Sequence, residues 1–171
     1  MCKWVIVNDL ARGQRPGYAG ERGTQVTRTD VDTWIRNVKA LGIRSIICLL
    51  AEDQLHLYQQ LRTDLISYYR ERGFNVEHVP VRDHQSPPLS DADLNKIWSA
   101  YQTLPKPVLV HCSAGVDRTG RAIEYIQKQL EAVGIKTELT IAPGTASTPV
   151  IAKGDWDLAF GPWSGGRLPS F

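Results

Sequence analysis

His111-Cys112-Ser113-Ala114-Gly115-Val116-Asp117-Arg118-Thr119-Gly120 lies between two stretches of different periodicity. Before it, Lys106-Pro107-Val108-Leu109-Val110 is short, apolar and β-branched, the composition of a strand buried on both faces. After it, Ile123, Ile126, Leu130 and Val133 recur at helical spacing. The ten residues therefore form a strand-to-helix turn, which is where open α/β sheets bind their ligands.

The residue types in that turn point to phosphate. Ser113 and Ala114 are small and Gly115 can take φ > 0, so the backbone N–H groups of Ser113, Ala114, Gly115, Val116, Asp117 and Arg118 can curl into a nest capped by the helix N-terminus. Arg118 can close the ring with a fork on two phosphate oxygens, which a lysine cannot do. The same positive field favours the thiolate of Cys112, a nucleophile able to attack phosphorus and form a phosphocysteine that water then hydrolyses. The amides and Arg118 stabilise charge on the transferring oxygens, and Thr119 donates its hydroxyl to the departing sulfur. A lone cysteine would read as core; cysteine, glycine, arginine and threonine together at a strand-to-helix turn do not.

These residues resemble the H-C-x-x-G-x-x-R-[ST]-G signature of the cysteine-dependent protein tyrosine and dual-specificity phosphatases. The resemblance implies that Cys112 is the nucleophile, that Arg118 binds phosphate and the transition state, and that His111 tunes the thiolate and braces the loop. A second stretch, Pro80-Val81-Arg82-Asp83-His84-Gln85-Ser86-Pro87-Pro88, resembles the W-P-D-H-G-x-P loop of the same family. Val81 and Arg82 replace its tryptophan and proline, while Asp83, His84 and Pro87 are kept. The resemblance makes Asp83 the acid that protonates the leaving oxygen and later activates water, and makes His84 a structural hydrogen-bonder.

Asp117 is a rival for that acid. C-x-x-G-x-D-R resembles the loop of myotubularin-like lipid phosphatases and of some bacterial phosphatases, whose in-loop aspartate takes part in acid catalysis. The other reading of Asp117 is a salt-bridge brace on Arg118. Phosphoinositide-directed relatives often place lysines in this loop; here the positions are Ser113, Ala114, Val116 and Asp117, which implies a phosphorylated protein of the phosphotyrosine type or a small phosphoester. The main expectation is thus a phosphate-monoester hydrolase of the protein tyrosine or dual-specificity type, with a phosphoinositide-type enzyme using Asp117 as one alternative. A phosphate-binding module without turnover is another, but binding alone needs no thiolate.

Composition narrows the class further. The 171 residues, 42% of them hydrophobic, suit one domain with a real core. A net charge of +2 argues for neither nucleic acid nor a membrane surface. The longest apolar run, Ile46 to Ala51, falls far short of the ~20 residues that span a bilayer. The four histidines (His56, His78, His84, His111) show no metal-ligand spacing, and no cofactor motif occurs. Cys2, Cys48 and Cys112 are scattered and make no disulfide framework, so with no signal peptide evident the expected compartment is the cytoplasm. Cys48 is expected to be a plain buried cysteine, with a redox trap for Cys112 as the sharper alternative.

The remaining chain reads as support, with an α/β architecture: a central, mostly parallel sheet of about four to five strands flanked by helices. Trp4–Val7 is a first strand, and the polar stretch Ala11–Gly23, with Arg12, Arg15 and Arg22 as solvated charges, is loop. Thr29-Asp30-Val31-Asp32 starts a helix whose apolar face is Val31, Trp34, Ile35, Val38 and Leu41, stopped by Gly42. Ile43–Leu50 is a buried strand. Leu57, Leu61, Leu65 and Tyr68 line another helix ending near Gly73, followed by a third strand through Val76, Val79 and Val81. Ser90-Asp91-Ala92-Asp93 caps a helix with Leu94, Ile97, Trp98 and Tyr101 as core. The phosphatase-like domain is expected over 1–134. Residues 135–171 form an atypical segment: an edge strand through Ile135, Leu139 and Ile141, then a Gly/Pro/Ser/Thr-rich stretch.

Overall fold

The computed structural model describes residues 2–18 and 23–135, all within the first of two units, Met1–Thr137. The expected edge strand beyond Ile135, the stretch that follows it and Arg22 lie outside the described residues. Five strands, β1 (Lys3–Ile6), β2 (Leu10–Gln14), β3 (Ser45–Cys48), β4 (Asn75–His78) and β5 (Val108–Cys112), form one sheet in the order β1-β2-β5-β3-β4. β1 runs antiparallel to β2 and the other pairings are parallel. The helices are α1 (Arg28–Ala40), α2 (Glu52–Leu55), α3 (Leu65–Glu71), α4 (Asp91–Thr103) and α5 (Asp117–Ala132), with a 3-10 turn at His56–Tyr58. The expected α/β class with a mostly parallel sheet is the observed one.

Apolar clusters cover both faces of the sheet, as parallel strands require. Ala11, Ile46, Cys48, Leu50 and Leu109 pack against α1 and α3 through Val31, Ile35, Val38, Leu65 and Tyr69. Leu10, Ile47, Leu49, Val108, Val110 and Cys112 pack against α4 and α5 through Leu94, Ile97, Tyr101, Ile123 and Ile126. The alternation along β5 puts His111 on the first face and Cys112 on the second.

The structure corrects four local expectations. Residues 11–14, expected as loop, belong to β2, seated between β1 and β5. Leu10 and Ala11 are fully buried, and the chain reverses from β1 at Asn8, whose φ of 59° asparagine tolerates better than most residues. Only two of the five residues of β2 are apolar, so no strand pattern appears in the sequence.

α1 begins two residues earlier than expected. Thr27 is its cap, with its hydroxyl accepting from Asp30 N at 3.1 Å while the Asp30 carboxylate accepts from the Thr27 backbone. The expected single helix through Leu57, Leu61, Leu65 and Tyr68 is broken: after α2 and the 3-10 turn, Asp64 caps a new helix by accepting from Ser67 N at 2.9 Å. All four apolar residues are buried nonetheless. Leu41 and Val133, expected on core faces, are the C-caps of α1 and α5 and stand 37% and 69% exposed.

Candidate active site

β5 ends at Cys112, and α5 starts five residues later at Asp117, so Ser113–Val116 form the connecting loop. Gly115 has φ of 73°, and a Cβ there would overlap the Gly13 carbonyl of β2, so this position demands glycine twice over. Among the described residues, the N–H groups of Ser113, Ala114, Gly115 and Val116 have no acceptor. Two of these four residues, Ser113 and Ala114, line a hollow together with Tyr18, Asp83, His84, Cys112, Asp117 and Arg118.

Arg118 is 1% exposed and its guanidinium is divided in use. Nη1 donates to Leu49 O at 3.0 Å, Val81 O at 2.8 Å and Gln54 Oε1 at 2.9 Å. On the opposite edge Nε has no partner among the described residues, and Nη2 lies 2.9 Å from Asp83 Oδ2 as an ion pair, out of hydrogen-bond alignment. That edge is the one that forks onto two oxygens of an oxyanion. Asp83 is thus brought to Arg118 by the loop after β4, and its Oδ1 accepts from His84 N at 3.1 Å. His84 holds φ of 58° at this bend.

Asp117 lines the same hollow, but the carboxylate that faces Arg118 is Asp83. The brace expected between Asp117 and Arg118 is therefore made by the other acid. Thr119 is fully buried, with its hydroxyl unpartnered among the described residues.

His111 is buried on the far face of the sheet between Trp34 and Tyr69, whose rings lie 5.5 and 5.8 Å away. Its Nε2 is 3.3 Å from Tyr69 Oη and its Nδ1 3.3 Å from the Cys112 carbonyl. Burial pushes its imidazole down to about 4, so near neutrality it is uncharged and braces the strand rather than supplying charge.

Two arginines missed as solvated charges support the loop. Arg12 donates through Nη2 to the Gly115 carbonyl. Arg15 is 2% exposed; its N–H donates to Ser113 O at 3.0 Å and its Nε to Ser113 Oγ at 3.4 Å. The exit of β2 is itself held by Trp34 Nε1 donating to Gln14 O at 3.0 Å and Tyr58 Oη donating to Pro16 O at 3.1 Å. Gln54 was also missed: beside its contact with Arg118 it donates through Nε2 to Asp83 Oδ2 at 3.3 Å. Once β2 is recognised as a strand next to β5, alternation alone places Arg12 on the face of Cys112; nothing in the sequence singles out Gln54.

Residues 22–129 match the family described as Tc-R-P, the DSP-PTPase phosphatase of polymorphic toxin systems. No curated protein matches the chain by sequence. Among solved structures, a DUF442 phosphatase candidate from Shewanella putrefaciens CN-32 is 19% identical with a TM-score of 0.53, over 89% of this chain and 91% of its own. A kinase associated phosphatase, carrying a catalytic-site cysteine-to-serine substitution, is 18% identical with a TM-score of 0.52, over 84% of this chain and 74% of its own. Both likenesses are of fold.

Proposed function

The chain belongs to the DSP-PTPase phosphatase family of polymorphic toxin systems, and on that premise we propose that it hydrolyses phosphorylated protein or small phosphoester substrates through a Cys112 phosphocysteine. The observation that carries this reading is the arrangement beside Cys112: Ser113 and Ala114, whose amides have no acceptor among the described residues, and Arg118, whose Nε–Nη2 edge makes no hydrogen bond among them, line one hollow with the thiol. Such an arrangement matches three equatorial phosphoryl oxygens.

In the first step the Cys112 thiolate attacks phosphorus, the P–O ester bond breaks, and protonated Asp83 gives its proton to the leaving oxygen. The incoming phosphate replaces Asp83 on the Nε–Nη2 edge of Arg118, so the ion pair of the unliganded enzyme opens as substrate enters. In the second step water attacks phosphorus and gives its proton to Asp83, and the S–P bond breaks. The buried Thr119 hydroxyl then donates to the returning thiolate and helps the sulfur to leave.

Asp117 supports a second reading, because it too lines the hollow: a phosphoinositide-type mechanism with Asp117 as acid. Hydrolysis of an activated aryl phosphate across pH, without added metal, separates the two. Loss of the basic limb of the kcat profile in Asp83→Asn is the expected result. Loss of it in Asp117→Asn instead puts the second reading first, and absence of thiol-dependent turnover by folded wild type leaves only a phosphate-binding module.

A further inference from the structure

We propose that Gln54 is a positioning residue that holds Arg118 in its phosphate-accepting orientation and ties it to Asp83. The inference rests on the reading of Asp83 as the acid but adds a residue from a third segment, the short helix α2.

The amide orientation is fixed by its surroundings. Gln54 Oε1 accepts from both Ala51 N at 3.2 Å and Arg118 Nη1 at 2.9 Å. A flipped amide would set its NH₂ group against two donors, so the oxygen belongs there. Nε2 is then left to face Asp83 Oδ2, at 3.3 Å. One side chain, anchored to the backbone of its own turn, therefore contacts both of the charged groups that come from α5 and from the loop after β4.

Two consequences follow for the site. Nη1 of Arg118 is drawn inward by three acceptors, of which Gln54 Oε1 is the one supplied by a side chain. That pull turns the Nε–Nη2 edge outward to the hollow. Toward Asp83 the requirement is opposite, because an ionised carboxylate needs a donor. A glutamate at 54 would grip Arg118 more strongly yet repel Asp83, and an apolar side chain would serve neither; the neutral amide satisfies both at once. When phosphate takes Asp83's place on Arg118, the Nε2 contact keeps the freed carboxyl at the rim of the hollow.

The test compares wild type, Gln54→Met, Gln54→Glu and Asp83→Asn, with thermal melts to establish that each is folded. Two quantities are read: inhibition by inorganic phosphate, which reports Arg118, and the basic limb of the kcat profile, which reports the acid. Gln54→Met is expected to raise the phosphate Ki about fivefold and lower kcat about tenfold. It also moves the basic limb to higher pH, because Asp83 loses a donor that favours its ionised form. Gln54→Glu moves the limb further in the same direction, because like charges oppose ionisation. Wild-type Ki or a wild-type limb in both Gln54 variants overturns the proposal. If Asp83→Asn leaves the limb intact, the acid reading fails by itself, and the phosphate Ki still decides whether Gln54 holds Arg118.

Discussion

Cys48 and Cys112 stand at the carboxyl ends of adjacent strands and are equally buried, at 0% and 2% exposure, yet their surroundings differ completely. In the β3–β5 ladder Cys48 is paired with His111, so Cys112, one residue further, points to the other face of the sheet. Cys48 sits in the cluster under α1 and α3, where burial pushes its thiol up to about 12. Cys112 opens onto the loop amides, Arg118 and the hollow. Burial alone does not mark the reactive thiol; face parity and the charges gathered on that face do. The redox trap weighed for Cys48 loses its geometric support, because a direct Cys48–Cys112 bond would require one strand to turn over.

The contrast can be broken in graded steps. Cys112→Ser is expected to lower kcat by at least about 10⁴-fold in steady-state assays. Arg118→Lys keeps the charge but loses the fork, and kcat/KM should fall by about 10²–10³-fold.

On the Cys48 face, His111 makes stability depend on acid. The unfolded imidazole takes up a proton below its ordinary 6.5, whereas the folded one refuses it until about 4. The unfolded state binds more protons in that window, so stability is full above about pH 6.5 and falls as pH drops towards 4. The loss is on the order of 3 kcal/mol. Denaturant melts across pH should show this slope in wild type and a flatter one in His111→Gln.

Arg12→Ala, on the Cys112 face, removes a cation whose guanidinium interacts with Cys112 and is bound to the Gly115 carbonyl. Alkylation of Cys112 by iodoacetamide at neutral pH should slow by about three- to tenfold. The smallest effect belongs to Cys48→Ser: alkylation and recovery from peroxide should stay within about twofold of wild type. A larger change would reopen the trap and undo the comparison.

How much of this was legible in the sequence differs sharply between two neighbouring strands. β5 and the loop after it were readable because Val108–Val110 carries an apolar strand pattern and Cys112, Gly115, Arg118 and Thr119 each have a chemical reason to be there. β2 was not, although it forms the other half of the same wall. Leu10-Ala11-Arg12-Gly13-Gln14 has a composition usual for a loop, and it is made a strand by pairing with β5 and by partners distant in sequence, Cys2 against Gly13 and the Gly115 carbonyl on Arg12. Tertiary pairing overrode local propensity, and Arg12 and Arg15 were lost with it. The break between α2 and α3 leaves no mark in the sequence pattern for a related reason, since a buried face with helical spacing survives an interruption by turn and cap.

Rapid quenching of wild type with a ³²P-labelled aryl phosphate asks whether the Cys112 sulfur itself carries the phosphoryl group. Transient label on Cys112 is expected, absent in Cys112→Ser and accumulating when Asp83→Asn slows the hydrolysis of the intermediate. Turnover at wild-type rate with no label on Cys112 at any time would contradict the phosphocysteine mechanism.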